Sequence, residues 1–554
     1  MGQSIEDKKQ HPAGRVGCPE DIAQMVMFLC DNSRAGFKCS ANEGGMNLNM
    51  KTDKNLHPLF IGLYDTNLLG IRYLSSTLKN HGYEPSLIFL KSFNSYNVDE
   101  PTPTEYELLY KTIAELKPGY IGLSIMCSFY LNVVENIVKK IREISGVPIL
   151  IGGAYATLFP EECLKLADVV FRGESEETII EFTNALRDGK PYDHIEGICI
   201  NTPDGPQLNP IRPLIKDLDR LPHPDFGGKN MYYINNDKII HGDPEVASHR
   251  YELTTSRGCP NRCSYCSNSS IRDLYKGKGP FIRQRSVGDV MSEIANVRKQ
   301  NPGVQLLRFW DEIFPWNKEW IAEFTSEYKK NVALPFEVWG HPRLSANPGI
   351  KDLVSAGLSK IVIGVQSGCP KIRKEIYTRN EKQEEILECS RILSEAKVPM
   401  VIYDFILGHP FETEEDLKET LNLCRSLSKP FTLQLHGLSF LPGTPIEEIA
   451  VGRGVKTWEE IRAEQSRPLK EQYHSMAWWR QGHGANNSEK VYWYTLIYLT
   501  QFPAGEGIIR RALKNEKLKK NPRRLLMWHR IFNYRQRFQM GFRKLGFLVK
   551  KRFK

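Results

Sequence analysis

Three cysteines stand within one short run, Arg257-Gly258-Cys259-Pro260-Asn261-Arg262-Cys263-Ser264-Tyr265-Cys266, spaced C-x-x-x-C-x-x-C. Thiolates are soft ligands that suit zinc or iron-sulfur clusters, and three on one loop can wrap a single metal group. A structural zinc site takes four protein ligands, whereas this run supplies three and leaves one metal position open. A zinc site borrowing a distant ligand, or three incidental thiols, are the plainer readings. The chain has twelve cysteines spread over 554 residues, too few and too dispersed for a disulfide scaffold.

The elements that must position these thiols follow from hydrophobic periodicity. The run comes just after an apolar segment at Leu253–Ser256. Further strand-like segments follow at Val304–Trp310, Phe336–Trp339, Lys360–Val365, Met400–Leu407 and Thr432–Phe440. Helical patterns intervene at Val287–Lys299, Lys318–Lys330, Ile350–Ala356, Lys382–Ala396 and Glu414–Leu427. That alternation predicts a partial, TIM-like (β/α)6 barrel with its site at the strand C-termini.

Upstream, short apolar runs at His57–Tyr64, Ser86–Leu90, Tyr120–Met126, Val147–Gly153 and Val169–Gly173 alternate with amphipathic segments, which predicts a doubly wound, Rossmann-like parallel sheet. Ligands of such sheets sit at the strand carboxyl ends, where Asp65, Ser124, Gly152 and Gly153 fall. The expected organisation is an appendage over 1–50, a sheet domain over 51–190, a linker over 191–245, the barrel over 246–445, and a helical C-terminal region over 446–554 that ends in a basic tail. Residues 201–245 read as linker because Pro, Asp and Asn interrupt any period.

The cysteine run resembles the radical S-adenosylmethionine enzyme family, whose signature has this spacing with an aromatic residue, here Tyr265, before the last cysteine. The resemblance implies that Cys259, Cys263 and Cys266 hold a 4Fe-4S cluster whose fourth iron chelates S-adenosylmethionine. Later motifs match in order: Phe309-Trp-Asp-Glu-Ile-Phe314, Gly364-Val-Gln-Ser-Gly368, Phe405-Ile-Leu-Gly-His-Pro-Phe-Glu-Thr413 and Leu441-Pro-Gly-Thr-Pro445. By that resemblance Asp311 and Glu312 lie near the amino group, Gln366 near the ribose, and Gly408 in the same cosubstrate site. An exposed carboxylate at a strand end is the plainer reading of Asp311 and Glu312.

The upstream block resembles the cobalamin-binding fold, marked by D-x-H-x-x-G, S-x-L and G-G. Here these are Asp65-Thr-Asn67-Leu-Leu-Gly70, Ser124-Ile-Met126 and Gly152-Gly153. Asn67 replaces the histidine that ligates cobalt from below, so this residue offers no imidazole, and Tyr155 stands where histidine is common. The two resemblances together imply a cobalamin-dependent radical enzyme, most readily a methyltransferase that moves a methyl group through methylcobalamin to an unactivated carbon of a small-molecule or lipid-like substrate. An external electron donor of flavodoxin or ferredoxin type is then required. Alternatives are an anaerobic cyclase-type oxidation without methyl transfer, a cobalamin sensor, and a transfer-RNA methylthiotransferase. Against the last, Cys127, Cys163 and Cys199 are too dispersed for a second cluster.

Residues 11–46 resemble the closing stretch of short-chain dehydrogenases without that family's nucleotide loop or catalytic residues, and no catalytic role is expected of them. A fusion or an early start, with Met46 or Met50 as the true one, is the expected origin of the join; the alternative is a docked helical appendage around Ile22–Cys30. With 41% hydrophobic and 25% charged residues the chain is globular rather than disordered. No apolar run reaches the roughly 18 residues of a membrane span, so a cytoplasmic protein is expected. The net charge of +10 is a property of the tail: residues 510–554 carry 17 Lys or Arg and one Glu. Interleaved aromatics there fit a solvated face packed on the barrel or peripheral contact with the inner face of a membrane; nucleic acid is not the expected partner.

Overall fold

The computed structural model describes residues 56–92, 98–315, 317–345, 349–476 and 488–522, with single positions up to 532. The appendage over 1–50 and most of the basic tail lie outside the described residues. Strands β1 (Pro58–Leu63), β2 (Ser86–Leu90), β3 (Tyr120–Ser124), β4 (Ile149–Gly152) and β5 (Val169–Phe171) are buried along almost their whole length, as short apolar runs covered on both faces must be. They pair in parallel in the order β5-β4-β3-β1-β2. The chain therefore winds outward in both directions from β1 and β3. The loops after these two strands part there and leave a crevice at their carboxyl ends.

The stretch expected as a linker is folded. It supplies β6 (Ile198–Thr202), β7 (Gly205–Leu208), β8 (Met231–Asn235) and β9 (Lys238–His241), which extend the same sheet to nine strands. Both additions are hairpins on the sheet's edges: β6 runs antiparallel to β5 and β7, while β8 runs parallel to β2 and antiparallel to β9. Edge strands are largely wet, so β7 carries no apolar run and β9 only the pair Ile239-Ile240. The signals present are the turns, Pro203-Asp204 and Asn236-Asp237. Asn236 and Asp237 both take positive φ, 53° and 58°, as a two-residue hairpin turn requires.

The second sheet is formed by β10 (Arg250–Leu253), β13 (Leu306–Phe309), β14 (Phe336–Gly340), β15 (Leu358–Gln366), β16 (Val401–Leu407) and β17 (Thr432–Gly437), parallel and in chain order. Helices Val287–Gln300, Lys318–Asn331, Ile350–Ala356, Gln383–Glu395 and Glu414–Ser426 cover it, within a residue or two of the expected limits. The small ribbon β11 (Ser256–Arg257) and β12 (Arg283–Gln284) stands at its rim. Six helices between Pro445 and Lys520 close the described chain. Among the described residues no helix is long and apolar enough to cross a membrane.

Gly153 shows why the G-G pair is needed. Its φ is +107°, and a Cβ built there would lie 2.5 Å from the Ile125 carbonyl oxygen, a backbone atom that has no room to withdraw. Gly153→Ala should therefore lose about 1–3 kcal/mol of stability. Thermal unfolding of the variant beside Gly146→Ala, where a Cβ meets nothing within 4 Å, measures it.

Candidate functional site

At the crevice of the first sheet, the Asn67 backbone N–H donates to Asp65 Oδ1 at 2.8 Å, which pins the turn after β1. The Asn67 side chain is buried, with Nδ2 3.5 Å from the Glu252 carbonyl oxygen of β10. Gly70 opens the helix Leu69–Asn80, and Ser124 is the register partner of Gly152. Gly70, Ser124, Gly152 and Gly153 share the wall of one cavity of about 410 Å³; Asp65 and Asn67 are not part of that wall. A Cβ at Gly70 would meet nothing within 4 Å, and one at Gly152 only Phe171 at 3.6 Å. The glycines thus leave a flat-walled slot that side chains would narrow.

The same cavity continues to the barrel rim, where Arg257, Gly258, Asn268, Tyr275, Arg283 and Glu312 line it. The β11–β12 ribbon holds the cysteine loop. Gly258, at φ +92°, lets that loop pass against the Phe281 carbonyl, which a Cβ would approach to 2.1 Å. Cys266 caps the helix Ser267–Leu274, and its N–H donates to the Cys263 carbonyl at 3.1 Å. Ser269 Oγ donates to the same carbonyl at 2.8 Å. Cys263 is buried, while Cys259 and Cys266 are half-buried. Burial pushes the Cys259 thiol up to about 11 and raises Cys266 as well, so loading a metal there must displace protons. Among the described residues no three His, Cys, Asp or Glu side chains converge on a single metal ion. A cluster does not require that, because each thiolate takes its own iron.

Two features of this rim were not apparent from sequence. Arg379, 116 positions from Cys263, reaches it with Nη1 3.6 Å from Sγ and donates to Tyr265 Oη at 3.3 Å. Glu381 and the Gly364 carbonyl hold the guanidinium there. The second is an ion-pair cluster that ties the two domains: Arg257 reaches Glu174 at 3.1 Å and Glu176 at 2.6 Å, and Arg283 reaches Glu174 at 2.7 Å. These carboxylates follow directly on β5. The glycine slot and the cysteine loop are therefore locked to one another through charge pairs more than half withdrawn from water. No periodic signal announces such long-range pairs.

The adjacent acids Asp311 and Glu312 have separate surroundings. Asp311 is 2% exposed, and its Oδ1 accepts from the Thr255 N–H at 2.9 Å, Thr255 Oγ1 at 3.0 Å and Ser256 Oγ at 2.5 Å. It thereby braces the strand end that leads into the cysteine loop, while Glu312 faces the cavity. Gln366 closes β15 at φ +70°, where the β15–β16 register shifts, and the Gly408 N–H donates to Glu412 Oε2 at 3.2 Å.

Burial, with Glu312 alongside, lifts the Asp311 carboxyl to about 7. The folded state then keeps a proton that the unfolded chain releases near pH 4. Stability from this group is full below that pH and is lost as pH rises toward 7, by on the order of 4 kcal/mol. Asp311→Asn should flatten this part of the pH dependence, read as the wild-type minus variant unfolding free energy between pH 4.5 and 8. A constant difference would show that Asp311 is charged throughout.

Residues 253–424 match the model of the radical SAM superfamily, and residues 63–183 match that of the B12 binding domain. The chain belongs to the cobalamin-binding radical SAM enzymes. Among its relatives, cytidylyl-2-hydroxyethylphosphonate methyltransferase of Streptomyces wedmorensis is 25% identical over 383 residues, 62% of this chain and 69% of the relative. Two solved radical SAM structures share the fold. The methyltransferase TsrM from Kitasatospora setae, with cobalamin and a 4Fe-4S cluster bound, is 17% identical with a TM-score of 0.56, over 72% of this chain and 75% of TsrM. OxsB, a cobalamin-dependent radical SAM enzyme with aqua-cobalamin and S-adenosylmethionine bound, is 15% identical with a TM-score of 0.60, over 83% of this chain and 75% of OxsB. The expected fold class, a parallel-sheet B12-binding domain followed by a radical SAM barrel and a helical C-terminal region, is the one observed, and the protein is a methyltransferase-like radical SAM enzyme.

Proposed function

We propose that this protein transfers a methyl group to an unactivated carbon of a small-molecule substrate. The observation that carries the reading is the single cavity whose wall runs from Gly70, Gly152 and Gly153 to Gly258, Asn268 and Glu312. In this reading the glycine slot takes the nucleotide tail of cobalamin. Cys259, Cys263 and Cys266 hold the 4Fe-4S cluster, with Tyr265 beside them, and Glu312, Gln366 and Gly408 border S-adenosylmethionine. When bound, these groups supply radical and methyl-transfer chemistry that side chains lack. The chain's own residues bind and orient. Arg379 sets a fixed positive charge against the Cys263 sulfur, Asp311 braces the strand that carries the loop, and Arg257 with Glu174 keeps the two cofactor walls in register.

Reduction needs an external donor of flavodoxin or ferredoxin type, and the tail's 17 basic residues with interleaved aromatics support peripheral membrane contact for a lipid-like substrate. The test is anaerobic incubation of cluster-reconstituted protein with methylcobalamin, methyl-labelled S-adenosylmethionine and host extract. Label in a new product is the expected result. Release of 5′-deoxyadenosine without S-adenosylhomocysteine would favour cyclase-type oxidation, and neither product would leave a sensor.

A further inference from the structure

A second cavity, of about 310 Å³, opens where the segments after β16 and β17 meet the C-terminal helices and Phe129 of the first domain. Its charged lining comes from Lys456, Arg467, Lys490 and Glu464, all beyond the stretch that matches the radical SAM model. Glu464 Oε1 lies 2.6 Å from Lys456 Nζ and 4.0 Å from Arg467 Nη2. One carboxylate is thus shared by two cations, and Lys490 adds a third basic side chain to the wall. Behind the wall, burial lifts the Glu412 carboxyl to about 8, above the usual carboxylate range.

His409 is also part of the wall. It is 1% exposed, and neither ring nitrogen has a hydrogen-bond partner. The nearest carboxylate oxygen, Glu412 Oε1, stands 3.6 Å from Nε2, too far for a hydrogen bond. Burial draws the imidazole down to about 3, leaving a neutral ring with one N–H to donate. A buried donor of this kind is costly unless something satisfies it.

We propose that this cavity binds a phosphate-class oxyanion carried by the substrate, anchoring it at the mouth of the barrel. The inference rests on the methyl-transfer reading for its purpose, though not for its measurement. A lining in which two cations share one carboxylate suits the compact charge of such an anion, and Arg467 can meet two of its oxygens at once.

The test is calorimetric titration of the full chain, loaded with cluster and hydroxocobalamin, with inorganic phosphate at constant ionic strength. Saturable binding is expected. Arg467→Gln and Lys490→Gln should each weaken it about tenfold, whereas Glu464→Gln, which releases two cations, should tighten it. Opposite signs in variants of one cavity cannot come from general misfolding. Phosphate binding that is non-saturable, or equal in all four proteins, overturns the proposal. So does binding present in cobalamin-free protein and lost on loading, which would assign the site to the corrinoid's own phosphate. Failure of methyl transfer leaves these curves untouched, so the two readings fail separately.

Discussion

Cys263→Ala should leave purified protein without iron and without any radical product. The thiol is buried at the centre of the loop, between Cys259 and Cys266 and against Arg379. Replacing it deletes one of the three thiolates this chain offers a cluster and leaves the guanidinium facing a methyl group. Loss of an outer-sphere partner alone costs about 10- to 100-fold in metal affinity, and loss of a direct ligand should cost more, which takes iron content to background. Cys424→Ala is the matched control. Cys424 is fully buried on the helix Glu414–Ser426 in the barrel core, so its loss should lower Tm by a few degrees yet leave iron bound. Iron analysis after anaerobic reconstitution separates the two variants. Equal iron in both would end the cluster assignment.

The contrast between those cysteines reflects what a sequence can carry. Cys259, Cys263 and Cys266 are legible because their chemistry is local: three ligands on one loop need a fixed spacing. The parallel strands were legible for a related reason, since a strand buried on both faces must be apolar throughout, as Ile149–Gly152 and Ser86–Leu90 are. Strands β7 and β9 escaped notice because an edge strand is free to be polar and only its turn is constrained. Arg379 and the Arg257–Glu174 pair escaped for another reason. They meet their partners across 116 and 83 positions, and nothing in the intervening chain encodes that meeting. Asp311 and Glu312 show the remaining limit. Adjacent acids just beyond the end of β13 have different surroundings: one is enclosed and braces Thr255 and Ser256 while the other reaches the cavity. Motif likeness alone treats them as a pair.

Asn67→His should give the cobalt of bound cobalamin a lower nitrogen ligand and slow methyl transfer. Asn67 follows β1 at the crevice of the sheet, and Asp65 Oδ1 already receives its backbone N–H. Asp65 is the carboxylate next to an imidazole placed there, and carboxylates orient ligating histidines. The Asn67 side chain packs toward the Glu252 carbonyl and outside the cavity wall, so a ring at this position reaches cobalt only by turning out of that packing. The site is tight: Asn67 is 7% exposed and packed against the Glu252 backbone. The ring should therefore cost about 1–3 kcal/mol of stability, seen as a lower Tm. If the native chain gains by leaving cobalt without this ligand, an imidazole there stabilises the resting cofactor and raises the barrier. A turnover loss of about tenfold corresponds to ~1.4 kcal/mol. The decisive readout is independent of turnover: electron paramagnetic resonance of the cobalt(II) form should acquire nitrogen splitting in Asn67→His and lack it in the native chain. Identical spectra from a variant that still binds cobalamin would mean that the turn after β1 does not face the metal, and that Asn67 has no part in setting the coordination of cobalt.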